Sequence, residues 1–237
     1  MNVFITSSPY LEGADRAILN PENHFVENLR EVLPPFPRVL YVASDPERHD
    51  LTCSFGMDTA VAFCQAGMPF SAFQVLDGTN ADRAAELVHS SDFLVLAGGH
   101  VPTQNNFFRQ IGLREILRDF QGTVMGISAG SMNMADMAYI QPEEAGEGVD
   151  PDFVRFAPGL GLTEVNVLPH YQKCKDDILD VCGSLRTSPI RTARGIPSSP
   201  CPTAAISSKT RRRSFCLARG TSCGMGCCLP SPAPVTA

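Results

Sequence analysis

A chain of 237 residues with 43% hydrophobic and 19% charged content can bury one sizeable core, which excludes a disordered or fibrous protein. No apolar run approaches the roughly 20 residues that span a bilayer as a helix. The net charge of −6 is unevenly placed: residues 183–237 hold eight of the 19 basic residues and none of the 25 acidic ones, which leaves residues 1–182 near −14. That balance argues against nucleic-acid binding by the main part of the chain. Met1–Ser7 runs straight into a strand-like segment without a basic or apolar leader, so a cytoplasmic protein with no membrane partner is expected. The early cysteines Cys53, Cys64, Cys174 and Cys182 are scattered and read as reduced, mostly buried thiols.

Val3–Thr6 reads as a first strand that ends in a Ser-Ser-Pro turn. A helix is predicted from Asn20-Pro21, with Phe25, Leu29 and Leu33 on one face, stopped by Pro34-Pro35. Arg38–Ala43 is a continuous β-prone run, as in a strand buried on both faces. Asp50–Ala66 has a helical pattern, Phe70–Leu76 a strand pattern, and Asn80–Val88 a helical one with Asn80 as its cap. Asp92–Ala97 gives another strand, ending at Gly98-Gly99. Pro102–Leu117 follows as one or two helices interrupted near Gly112. Thr123–Ile127 is the next strand and Ala129–Ala138 the next helix. Glu143–Asp152 reads as an exposed acidic loop, and Thr163–Leu168 as a strand closed by Pro169-His170-Tyr171. Strands alternating with helices predict an α/β fold, a doubly wound and mostly parallel sheet with helices on both faces. Ligands in such sheets bind at the carboxyl ends of the strands, where Ser7-Ser8, Gly98-Gly99 and Ser128 all fall.

The stretch Gly126-Ile127-Ser128-Ala129-Gly130 carries the chemistry. Gly-x-Ser-x-Gly between an apolar run and a helix is the pattern of a nucleophile elbow, a sharp turn that presents a serine hydroxyl. Serine attack needs a base. His24, His49 and His89 sit near helix or loop ends and read as solvated, whereas His100 follows the Gly-Gly turn and His170 a strand end. The sheet edge shared with Ser128 favours His170, and to a lesser degree His100.

Leu96-Ala97-Gly98-Gly99-His100, Gly126–Ser131, and Gly159-Leu160-Gly161-Leu162 followed by Pro169-His170-Tyr171 resemble, in order and spacing, the peptidase E and cyanophycinase family of serine peptidases over roughly residues 1–182. The resemblance implies a sheet related to class I glutamine amidotransferases, flavodoxin-like in its winding, and hydrolysis of short peptides. It makes Ser128 the nucleophile, His170 its general base, and the backbone N–H groups of Gly99 and Ala129 the oxyanion hole. No metal or organic cofactor is required, and the expected partner is a small peptide substrate. His100, Gln104 and Asn105 are weaker candidates for substrate contact, and for the two amides capping of the following helix is the simpler role. Peptidase E carries an Asn-Asp-Met segment after its nucleophile; here the region reads Gln141-Pro142-Glu143-Glu144, which leaves aspartyl specificity open.

From about Gly183 the composition changes to seven prolines, nine serines and no acid, with Arg211-Arg212-Arg213 and five cysteines lacking paired metal-site spacing. One reading is a disordered tail. Another is translation out of frame: reading Gly195–Thr210 from the third base of each codon permits Tyr-Pro-Ile-x-Ala-Leu-Pro-Asp-Gly-Ser-Tyr-Leu-Leu-Lys-Asp, similar to the family's C-terminal strands. In that family the acid that orients the histidine lies in the corresponding Leu-Pro-Asp/Glu-Gly segment. This chain has no Asp or Glu after Asp180, so an impaired hydrolase is expected unless Asp136 or Glu143 substitutes. The competing readings are an α/β-hydrolase esterase, a glutamine amidotransferase relative, and a non-catalytic amidotransferase-like binding domain.

Overall fold

The computed structural model describes residues 1–171, together with the backbone of three short strands at 178–179, 182–183 and 213–216. Five strands build a parallel central sheet: β1 (Asn2–Thr6), β2 (Arg38–Val42), β3 (Ala72–Leu76), β4 (Phe93–Leu96) and β5 (Thr123–Ile127). Their spatial order is β3-β2-β4-β5-β1, and Arg213–Cys216 adds a parallel edge strand beside β1. The winding direction reverses at β2 and β4, so the loops after these strands flank a crevice at the carboxyl edge.

The strands are apolar on both faces because both faces are covered. On one side Phe4, Val39, Tyr41, Phe93, Val95 and Met125 pack under α1 (Phe25–Val32) and α2 (His49–Gln65). On the other, Val3, Ile5, Leu40, Leu94, Leu96 and Val124 pack under α3 (Ala84–His89), α4 (Val101–Gln110), α5 (Leu113–Ile116) and α6 (Ala129–Asn133). This is the doubly wound arrangement expected from the alternation of elements. Gly112 separates α4 from α5 in a left-handed conformation, φ 64°, which explains the break in that helical pattern.

Three local expectations give way to tertiary contacts. The helix after β5 is five residues long rather than ten, because Leu160, Leu162 and Gly161 donate to the carbonyls of Asn133, Met134 and Ala135. Met137–Tyr139 then forms β6, antiparallel to β7 (Phe156–Pro158). Residues 163–168 form no regular strand; Thr163 makes an isolated bridge to Ala135, the chain bends at Glu164, and Val165, Asn166 and Val167 are buried. The segment after β3 is capped by Asp77, which accepts from Thr79, while Asn80 returns a bond to the Asp77 N–H and so completes a capping box. Residues 183–237, expected to be aberrant, lie outside the described residues apart from their edge strand.

The serine turn is anchored to β1 by a buried stitch. Thr6 donates its N–H to Ser131 Oγ at 2.9 Å, and Ser131 Oγ lies 2.7 Å from Thr6 O and 2.8 Å from Gly126 O. Ser131 is fully buried, so Ser131→Ala leaves the Thr6 N–H without its acceptor. The expected loss is about 1–3 kcal/mol of unfolding free energy, measured by urea denaturation.

Candidate active site

Ser128 follows β5 and caps α6 at φ 49°, ψ −109°, a conformation that L residues rarely adopt. Its N–H donates to Thr6 O at 2.9 Å and its carbonyl accepts from Met132, so both sides of the turn are fixed by neighbouring elements. The flanking glycines are required by close approach. A Cβ on Gly126 would lie 2.6 Å from the Ser131 nitrogen, and one on Gly130 would collide with the Leu96 carbonyl oxygen. The turn therefore presses against α6 on one side and the end of β4 on the other. Ala129 is the first residue of α6, where an N–H has no acceptor within the helix.

The loop after β4 reaches the same point: a Cβ on Gly98 would stand 3.5 Å from that of Ser128. Gly99 is exposed beside it, and its backbone crowds Ser44 of the β2 loop too closely to admit a side chain. His170 is exposed at φ 55° and is drawn to this edge by Ser7, whose hydroxyl accepts the His170 N–H at 3.0 Å and stands 3.4 Å from Nδ1. Thr6 lies opposite Ile127 in the sheet, so Ser7 follows β1 where Ser128 follows β5. Among the described residues no hydrogen bond joins the Ser128 hydroxyl to His170. Of the five described non-glycine residues with positive φ, Ser128 and His170 are two.

Gln104 and Asn105 are 0% and 3% exposed. Gln104 donates to Ala97 O at 2.7 Å; Asn105 donates to Asn133 Oδ1 at 2.9 Å and to Pro158 O at 3.0 Å; Asn133 returns a bond to Gln104 Oε1. These amides neither cap α4 nor face solvent. They brace the β4 loop against α6 from behind.

His100 is only partly exposed, and the acidic loop is not the free segment its composition implies. His100 Nε2 lies 3.0 Å from Glu147 Oε1 and Nδ1 lies 2.8 Å from Thr103 Oγ1, while Glu147 Oε2 accepts the N–H groups of Glu143 and Glu144. The loop is thus strapped across the segment that follows the Gly-Gly turn. His100, Glu144 and Glu147 each bring a ligand atom within 4.8 Å of the others, the spacing of a cation site, but both Glu147 oxygens already have partners within the strap. Of the two acids considered as substitutes, Asp136 is paired with Arg114, and burial raises the Glu143 carboxyl above the ordinary glutamate range. Sequence reasoning assigned no role to Ser7, Ser131 or Glu147. Their only signals were a Ser-Ser turn after a strand, a serine beside the motif, and a charge in a charged loop.

A parallel, doubly wound α/β sheet with a strained serine turn and a glycine loop meeting at its carboxyl edge is the class that fold and site define. The family model described as peptidase family S51 matches residues 21–188, and the chain belongs to that peptidase family. Among solved structures, a peptidase from an acI-B1 Actinobacterium aligns at 18% identity over 76% of this chain and 72% of its own, with a TM-score of 0.49. A putative peptidase E protein from Listeria monocytogenes EGD-e aligns at 17% identity over 72% and 79%, also with a TM-score of 0.49. No curated protein matches the chain. No described helix is long and apolar enough to cross a membrane.

Two outcomes test this geometry. Ser128→Gly and Ser128→Ala both lack the hydroxyl, so their difference isolates the backbone. Relief of strain outweighs the entropy of the added glycine, and Ser128→Gly should unfold about 1 kcal/mol later than Ser128→Ala in urea. Burial opposes ionisation of Glu147, but the N–H groups of Glu143 and Glu144 and the bond to His100 outweigh it and hold its carboxyl below the usual range. A carboxyl depressed in the folded state stabilises it above the unfolded value of about 4.3 and loses that contribution as pH falls through the folded value. Protection of the Glu143 and Glu144 amides, taken relative to their intrinsic exchange rate at each pH, should therefore hold at neutral pH and be lost as pH falls below the ordinary glutamate value of about 4.3.

Proposed function

We propose that this member of family S51 is a serine-type hydrolase of short peptides acting through an acyl-enzyme. Ser128 is the nucleophile and His170 the base that takes its proton and returns it to the leaving amine. The N–H groups of Gly99 and Ala129 stabilise the tetrahedral oxyanion. The observation that carries this reading is the strained turn at Ser128, held rigidly between α6 and the β4 loop although a glycine would relax it. Substrate binds at the carboxyl ends of β4 and β5, where the serine turn and the glycine loop meet, bordered by the strap between His100 and Glu147.

The expected impairment belongs to the same proposal. The segment where the family acid would fall lies outside the described residues, and no Asp or Glu follows Asp180. Ser7 supports His170 from the Nδ1 side with a neutral hydroxyl. Loss of the orienting acid costs roughly 10⁴-fold in kcat in the serine protease precedent.

A fluorophosphonate probe should label the full-length protein at Ser128 and fail to label Ser128→Ala. Dipeptides, including those with an N-terminal aspartate, should be hydrolysed in preference to p-nitrophenyl esters. Restoring the alternative reading frame beyond Gly183 should raise kcat by up to about 10⁴-fold. Label that persists in Ser128→Ala overturns the nucleophile assignment, and equal kcat in both frames overturns the impairment.

A further inference from the structure

A second constellation of nucleophile, base and acid stands on the same carboxyl edge, at the other end of the strand order from Ser128. His49 is the first residue of α2 and Cys53 lies one turn further on the same face. Cys53 Sγ is 3.5 Å from His49 Nε2, and the other ring nitrogen, Nδ1, is 2.5 Å from Oδ2 of Asp77 at the carboxyl end of β3. Asp77 is fully buried and immobilised, since its Oδ1 accepts both the N–H and the hydroxyl of Thr79. A fixed carboxylate on Nδ1 turns Nε2 toward the sulfur. The three groups lie in line rather than converging on a point, the geometry of a proton relay and not of a chelate.

The electrostatics agree in sign with that geometry. Burial works against ionisation of Asp77, but the bonds from Thr79 and His49 outweigh it and hold the carboxyl below its usual range. The hydrogen bond and charge of Asp77 in turn raise His49, with Asp50 adding to the effect. The His49 ring nitrogen within reach of Sγ is placed to take the thiol proton, and the thiolate is the nucleophilic form. The sulfur is half-buried and therefore open to a small reagent. Cys64 shares α2, is the more exposed of the two described free thiols, and no histidine bond to it is seen. It stands eleven residues along the helix, about 16 Å away, so it cannot pair with Cys53 in a disulfide.

We propose that Cys53, His49 and Asp77 form a thiolate site that reacts with small hydroperoxides. The Cys53 thiolate attacks the terminal hydroxyl oxygen of the peroxide; the S–O bond forms as the O–O bond breaks. Sulfur is oxidised to a sulfenic acid and the peroxide is reduced to an alkoxide or hydroxide. That leaving group takes the proton held on His49 and departs as alcohol or water. An external thiol is needed to reduce the product. The site lies three strands from β5, about 14 Å, so it operates apart from any chemistry at Ser128.

The test compares two cysteines within one molecule. Full-length protein is treated at pH 7 with iodoacetamide, and separately with hydrogen peroxide followed by dimedone, and adducts at Cys53 and Cys64 are quantified by tandem mass spectrometry. Accessibility alone would make Cys64 the faster. The relay instead makes Cys53 about tenfold faster with iodoacetamide and the preferred site of the dimedone adduct. His49→Gln, at an exposed position, should bring Cys53 down to the rate of Cys64 while circular dichroism stays unchanged. Equal or slower labelling of Cys53 in the unaltered protein overturns the proposal without recourse to a variant. So does a Cys53 rate that His49→Gln leaves unchanged.

Discussion

The structure of the site depends on one constraint, the close approach of the serine turn to two neighbouring backbones. Gly126 lies against the start of α6 and Gly130 against the carbonyl of Leu96, so strand, turn and helix are packed without intervening side chains. That packing forces Ser128 into a conformation costing about 1–3 kcal/mol. The cost is sustained because Thr6, Ser131 and Gly126 share buried hydrogen bonds that tie β1, β5 and α6 into one unit. Every other feature of the edge is positioned relative to this unit. The β4 loop touches it through Gly98, and the amides of Gln104, Asn105 and Asn133 brace that loop from behind.

His170 reaches the same edge by a different route. The segment 159–168 first caps the carbonyls of α6, shortening that helix, and then continues through buried Val165, Asn166 and Val167 until Ser7 receives the His170 N–H. The ends of β1 and β5 are adjacent in the sheet, so a contact to Ser7 is also a placement beside Ser128. The shortening of α6 thus routes the chain that brings the histidine. The same economy appears at the other end of the sheet, where Asp77 both caps the turn after β3 and holds His49.

The sheet separates these two ends. β3 and β2 carry the thiol, the imidazole and the buried carboxylate, whereas β4, β5 and β1 carry the serine turn, the glycine loop and the strap from His100 to Glu147. Both sets lie at the carboxyl edge because in a parallel sheet every strand presents its following loop there.

The sequence by itself determined the α/β winding, the strand at Thr123–Ile127 and the serine turn, because hydrophobic runs, turn glycines and helix breaks are local signals that survive packing. It also pointed to His170 through a strand-end placement and a family resemblance. What only the tertiary structure decided are the partners that arrive from distant parts of the chain. Gln104 and Asn105, read as caps of the following helix or as substrate contacts, lie in a buried brace, since a polar side chain after a loop looks the same in sequence whether it faces solvent or a carbonyl. His49, read as solvated, is bound to Asp77, 28 residues away. Cys64, read as buried, is exposed, and Glu147, read as part of a free acidic loop, closes on His100. Each of these outcomes depends on which surfaces the folded sheet brings within hydrogen-bonding distance, and a one-dimensional pattern does not carry that information.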